Sequence, residues 1–221
     1  MLKLFFLGAL VVNFSAWGYR EIFQKYEKLY SLPPNLLEAI ALVESGLSGD
    51  KGLNFWPWTI SANGKGYYCQ TKQQAINLVQ NLHYQGIQNI DVGCMQINIK
   101  YHSKAFKNLD DAFNPELNIS FAASYLKKLY TLHQSWDRAI GYYHSTNPSF
   151  YNLYLNKISK KLIALSDFYE KQNNTSLVRF HSYKTKGFSL KKPQRFPVFY
   201  SKVNQDYKPQ IKVRSYQIKL Q

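Results

Sequence analysis

Residues 32–46, LPPNLLEAIALVESG, constrain this chain more than any other stretch. Pro33 and Pro34 suit the first turn of a helix, where an N–H has no intrahelical partner, with Ser31 or Leu32 ahead of the cap. Leu37, Ile40, Ala41 and Glu44 then recur at i, i+3, i+4 and i+7, one face of an α-helix. Ser45 and Gly46 stop it, Gly46 fitting the left-handed position just past a helix end. Three members of the face are apolar and the fourth is a carboxylic acid. Burial and the negative end of a helix both disfavour the anion. A glutamate held in that way keeps its proton near neutral pH, as a general acid must. A glutamate at the edge of the face that reaches water is the plain alternative, and spacing alone does not choose.

The chain has 221 residues and 45% hydrophobic content, enough for one domain with a core plus an appendage. Its formal net charge of +15 fits a solvated basic surface or a polyanionic partner: nucleic acid, anionic lipid or an acidic wall polymer. The amino terminus narrows this choice. MLKLFFLGALVVNFSAWG has a positive Lys3, an unbroken apolar run over residues 4–12 and a small-x-small site at Ala16-Trp17-Gly18. That is the pattern of a secretory leader, residues 1–18, removed near Gly18. The run is shorter than the roughly 20 residues a membrane-spanning helix requires; retention as an anchor is the alternative. An exported chain does not meet nucleic acid, so the expected location is the periplasm or cell envelope. Cys69 and Cys94 suit one disulfide or two buried thiols. They do not make a zinc site, and no metal or cofactor is expected.

Residues 19–29 read as a first helix with Ile22, Phe23, Tyr26 and Leu29 on its apolar stripe. Pro57 and Asn63-Gly64, set in aromatic and β-branched flanks, predict a small β-hairpin within residues 55–70. Thr71 and Gln74 fit a capping box before a helix lined by Ala75, Val79 and Leu82 and ended by Gly86. Residues 90–102 are expected to turn and then form a short helix. Asn114-Pro115 opens a helix carrying Ile119, Ala122, Ala123, Leu126, Leu129 and Tyr130. Ser135 caps the next, with Trp136, Ala139, Ile140 and Tyr143, and Ser149 the last, with Tyr151, Tyr154, Leu155, Ile158 and Leu162. The fold class is mainly α, with α+β character, over residues 19–165. Residues 166–221 hold 12 Lys+Arg against 3 Asp+Glu and scattered prolines, and read as a flexible basic tail.

Three stretches carry the chemistry: Val43-Glu44-Ser45-Gly46, Asp91-Val92-Gly93-Cys94-Met95-Gln96-Ile97-Asn98, and Ala139-Ile140-Gly141-Tyr142-Tyr143-His144-Ser145. Their order and spacing resemble the lytic transglycosylase domain of the lysozyme-like superfamily, of the soluble lytic transglycosylase type, including members that accompany type IV secretion systems. The motifs of that family are E-S, G-L-M-Q and A-Y-N-x-G. Here Glu44-Ser45 is intact, Cys94 replaces leucine in Gly93-Cys94-Met95-Gln96, and Tyr143 is kept with His144 where asparagine is usual. Pro57-Trp58-Thr59, Asn114-Pro115 and Tyr154 extend the likeness, which covers residues 29–162.

The resemblance implies a lysozyme-like helical domain and cleavage of the β-1,4 bond between N-acetylmuramic acid and N-acetylglucosamine in peptidoglycan strands. Ordinary glycosidases need two carboxylates. The family implies one, Glu44, acting as acid and then as base toward the muramic C6 hydroxyl, which closes a 1,6-anhydro ring. It also implies that Tyr143 and Tyr154 orient Glu44, that Ser45 and Gln96 contact substrate or developing charge, and that Met95 lines the cleft. Trp56, Trp58, Tyr67 and Tyr68 are candidates for stacking on sugars. Asp91 reads as a turn-forming residue, and Asp50 has no stronger claim to be a second acid. A lysozyme-type hydrolase, a non-catalytic glycan-binding scaffold and a cysteine nucleophile at Cys94, served by His102 or His144, are the rivals. The tail is expected to meet a secretion-system subunit or an anionic envelope surface.

Overall fold

In chain order the elements are α1 (Ala16–Tyr30), α2 (Leu36–Ser45), β1 (Thr59–Ala62), β2 (Lys65–Tyr68), α3 (Lys72–Tyr84), β3 (Ile90–Val92), β4 (Ile97–Asn98), α4 (Leu109–Ala112), α5 (Pro115–His133), α6 (Trp136–His144) and α7 (Pro148–Asn174). The computed structural model describes residues 16–46 and 55–174. The leader up to residue 15, Asp50 and the tail from residue 175 lie outside the described residues. Among the described residues no helix is long and apolar enough to cross a membrane.

Helix α2 is the axis of a helical lobe. Leu36, Leu37, Ala39, Ile40 and Ala41 are all fully buried, and a helix apolar on every side is a central one. It packs against α1, α5 and α7, in a core that includes Phe23, Ile119, Leu126, Ile140 and Ile158. The prolines stand outside the helix, which begins at Leu36: Asn35 takes a left-handed φ of 62°, so no helical turn can pass through it. Asn35 provides no side-chain cap. The open N–H groups are met instead from α1, where the Glu27 carboxylate accepts from Asn35 N at 3.0 Å and Leu37 N at 2.9 Å. Burial pushes Glu27 up to about 7 against the pull of those two bonds.

The end of α2 also differs from expectation. Gly46 is extended, with φ −63° and ψ 132°, and bridges Phe55. Glycine is required there because a Cβ would overlap the Leu42 carbonyl oxygen. On α1 the expected Phe23, Ile22 and Tyr26 pack on the core, but Leu29 does not. Tyr19 and Phe23 are buried with Glu27, while Leu29 is 64% exposed.

A smaller lobe holds a four-stranded antiparallel sheet in the order β2-β1-β3-β4, backed by α3 and α4 through Ile60, Ala75, Val79, Ile90, Val92 and Phe113. The predicted hairpin is β1–β2. Asn63 and Gly64 have φ of 49° and 76°, the double positive that a two-residue hairpin turn demands. Thr71 caps α3 by accepting from Gln74 N, but the Gln74 side chain accepts from Gln70 N rather than closing the box on Thr71. The short helix expected in residues 90–102 is absent. Ile90–Val92 and Ile97–Asn98 are strands β3 and β4, paired through Asp91–Asn98 and Val92–Ile97. Helix α7 starts at Pro148, one residue before the expected cap. Asn147 Oδ1 accepts from Ser149 N instead. Residues 166–174, grouped with the tail by composition, continue that helix, and Leu165 is fully buried.

Candidate active site

Glu44 sits in the last turn of α2 with its side chain 7% exposed. Its neighbour Ser45 is fully buried. The Ser45 hydroxyl lies 3.0 Å from the Ala41 carbonyl and 2.9 Å from that of Cys94. Expected to touch substrate, Ser45 instead ties the end of α2 to the second motif.

The second motif is the turn between β3 and β4. Gly93 and Gln96 hold φ of 81° and 49°; only glycine adopts the first freely. A Cβ on Gly93 would also strike the Asn118 amide. The Gln96 side chain, 6% exposed, donates to the Gly93 and Thr59 carbonyls. Met95, expected to line the cleft, is fully buried in the helical core. Its contribution to the site is its backbone: Met95 N donates to Asn118 Oδ1 at 2.9 Å, and its carbonyl accepts from Tyr143 Oη at 2.7 Å.

Tyr143 brings the third motif in on α6. One residue on, His144 Nδ1 lies 3.8 Å from Glu44 Oε1. The imidazole stacks on Tyr154 of α7, with centroids 4.4 Å apart and planes 4° from parallel. All three sequence stretches therefore meet: Ser45 on the Cys94 carbonyl, Tyr143 on the Met95 carbonyl, and His144 beside Glu44. From Tyr143 an aromatic path runs through Tyr125 to His102 and Phe121.

Other buried carboxylates are engaged elsewhere. Glu27 caps α2, Glu38 accepts from Tyr169 Oη, and Asp91 accepts from Asn98 Nδ2 at 2.9 Å. Asp91 is thus a strand residue bound to its cross-strand partner rather than a turn former. Both cysteines are free. Complete burial pushes the Cys94 thiol up to about 12, which leaves no thiolate for a nucleophile. Trp56 donates its indole N–H to the Cys69 carbonyl and meets Trp58 edge-on. Tyr67 packs on the sheet-lobe core, and Tyr68 is 51% exposed.

Asn118 was not singled out by sequence. Its side chain also donates to the Val92 and Ala112 carbonyls, so one amide holds the second motif against α4 and α5. The available signal was its place one turn before Ala122 on the apolar face of α5, where a polar side chain needs partners.

A helical lobe and a small antiparallel sheet, joined where Ser45, next to Glu44 at the end of α2, bonds the turn between β3 and β4, define the lysozyme-like class. A family model described as the transglycosylase SLT domain matches residues 21–149, more than half of the chain. The chain belongs to that family, whose members are peptidoglycan lytic transglycosylases. No curated protein and no solved structure matches it.

Proposed function

We propose that this chain cleaves the bond between N-acetylmuramic acid and N-acetylglucosamine with Glu44 as its single catalytic acid and base. Protonated Glu44 gives its proton to the glycosidic oxygen as the C1–O bond breaks. The resulting carboxylate takes the proton of the muramic C6 hydroxyl while that oxygen bonds to C1. A 1,6-anhydro ring closes and no water is consumed. The observation that carries this reading is Glu44, its side chain 7% exposed, at the junction of all three motifs, while the buried acids Glu27, Glu38 and Asp91 each hold a structural bond. In this reading Tyr143 and Tyr154 fix the acid's surroundings, and Gln96 and Met95 shape the turn beneath the muramic residue. Ser45 locks the helix that presents Glu44.

The leader exports the enzyme to the periplasm, and the basic tail holds it at anionic envelope polymer or at a subunit of a secretion apparatus, where it opens the wall locally. Deleting residues 175–221 and scoring wall digestion and localisation separately tests that part.

Digestion of purified wall followed by mass spectrometry tests the chemistry. Anhydromuramic ends, each one water lighter than a reducing end, are expected. Glu44→Gln should lower the rate about 10²- to 10⁴-fold, the range for loss of a general acid–base, with circular dichroism unchanged. Reducing ends would establish a lysozyme-type hydrolase instead. Wild-type clearing by Glu44→Gln would take the acid–base role away from Glu44, and glycan binding without clearing by the unaltered chain would leave a non-catalytic scaffold.

A further inference from the structure

His144 stands beside Glu44 and has no part in the chemistry described so far. Its Nδ1 lies 3.8 Å from Glu44 Oε1, and both side chains are largely buried. That separation is too long for a hydrogen bond. It is short for two charges, and with little water between them each acts strongly on the other. The ring is held in place by its parallel stack on Tyr154 of α7, with centroids 4.4 Å apart.

Two helix ends converge on this pair. Glu44 is in the last turn of α2, and His144 is the last residue of α6. The negative end of a helix supports a positive charge and opposes a negative one. An aromatic face beneath a cation also supports it. A charged imidazole at this place therefore has Glu44, the end of α6 and the Tyr154 ring in its favour, and burial against it. Histidine is the side chain that changes charge near neutral pH. The other charged residues of α6, Asp137 and Arg138, lie in its first turn, at the opposite end. Tyr143, next to His144, gives its hydroxyl proton to the Met95 carbonyl. Glu38, at the far end of α2, accepts from Tyr169.

We infer that His144 is a positioning residue for the catalytic proton: the site works while the Glu44–His144 pair carries one proton, on the carboxyl, and a charged imidazole shuts it down. This rests on the acid–base reading of Glu44 given above. One proton on the pair has two places to sit. On Glu44, beside a neutral ring, it is available to the glycosidic oxygen. On His144 it leaves a carboxylate with nothing to give. A second proton restores the acid but fixes a positive charge close to the reacting bond. Glu44 must touch the glycosidic oxygen, one bond from C1, and C1 itself turns positive as the C1–O bond breaks. The ring thus restrains the enzyme on both sides of its optimum, and a side chain that does not titrate lifts both restraints.

The pH dependence of kcat/KM on soluble peptidoglycan strands is measured for the full chain and for His144→Asn and His144→Gln, whose amides fill part of the ring's place. The unaltered chain is expected to give a bell. Relative to its own optimum, each variant should keep about threefold to tenfold more activity than the unaltered chain at both about pH 4.5 and about pH 7.5. A ring that only packs would scale the profile without changing its shape. The coupling is read without turnover, and without a change at residue 144, by NMR of the assigned His144 ring signal. Its titration midpoint should fall by about half a pH unit or more in Glu44→Gln. Profiles of unchanged shape, or a His144 midpoint unmoved by Glu44→Gln, would overturn the inference and leave the chemistry of Glu44 standing. Full wall digestion by Glu44→Gln would instead sink the acid–base role itself, and this inference with it.

Discussion

Asn118 shows what a single side chain contributes to this fold. Its amide satisfies Met95 N, the Val92 carbonyl and the Ala112 carbonyl, all in the interior. A buried polar group left without its partner costs about 1–3 kcal/mol. Asn118→Leu, similar in size, is therefore expected to destabilise the domain by roughly 3 kcal/mol or more, read as a lower midpoint in urea at an unchanged slope. Gly93→Ala presses on the same amide and starts from an unfavourable φ. The pair Gly93→Ala/Asn118→Leu should accordingly lose less than the sum of the two. Glu44 was legible in the sequence because an acid on an apolar helical face is conspicuous. Asn118 was not, because an asparagine four residues after Asn114-Pro115 looks like part of a cap. For Cys94 the sequence left a disulfide and a buried thiol open; it is a free thiol whose burial gives it a leucine's place in the core.

Helix α2 was visible by its period and ends at Ser45-Gly46 as expected, but its start was misplaced and Gly46 is extended rather than left-handed. The reason at its start is a long-range one: Glu27 reaches across from α1 to supply the cap that Asn35 does not. No local pattern announces a partner eight or ten residues upstream. The burial of Glu27, which outweighs the pull of those bonds, predicts a pH dependence. Glu27 keeps its proton up to about pH 7 when folded, against 4.5 ordinarily, so between those values the folded chain binds the extra proton. Stability is then full below about 4.5 and is lost as pH rises through about 7, a change on the order of 3 kcal/mol. Glu38, also raised by burial, acts in the same direction. Melting temperature should fall from pH 5 to pH 8, and Glu27→Gln should flatten the curve. The strands β3 and β4 were missed for a different reason. Three and two residues long, they are too short to show an alternating pattern, and they exist because β1 is there to pair with β3.

Across the whole molecule, α7 is the element whose extent composition understated. Near its start Tyr154 stacks on His144 beside Glu44, and near its end Tyr169 donates to Glu38 while Arg20 of α1 lies 3.4 Å over its ring. One helix thus touches the neighbourhood of both ends of α2. Lysine and serine content placed a boundary near residue 165; the apolar spacing that continues through Leu165 and Tyr169 was masked by the charges around it. A chain ending at residue 165 should melt several degrees below one ending at 174, since it loses both the Tyr169 bond and the Arg20 contact. The architecture itself, a helical body with one small hairpin and three converging motifs, was readable because each motif lies where an element ends or turns. The chain's two sulfur-bearing thiol side chains are far from needing each other: one is sealed inside, the other half-covered, and neither is joined. With neither thiol bonded, a reductant is expected to leave the melting temperature of the domain unchanged, and a drop on adding one would show a bond that these two side chains do not make here.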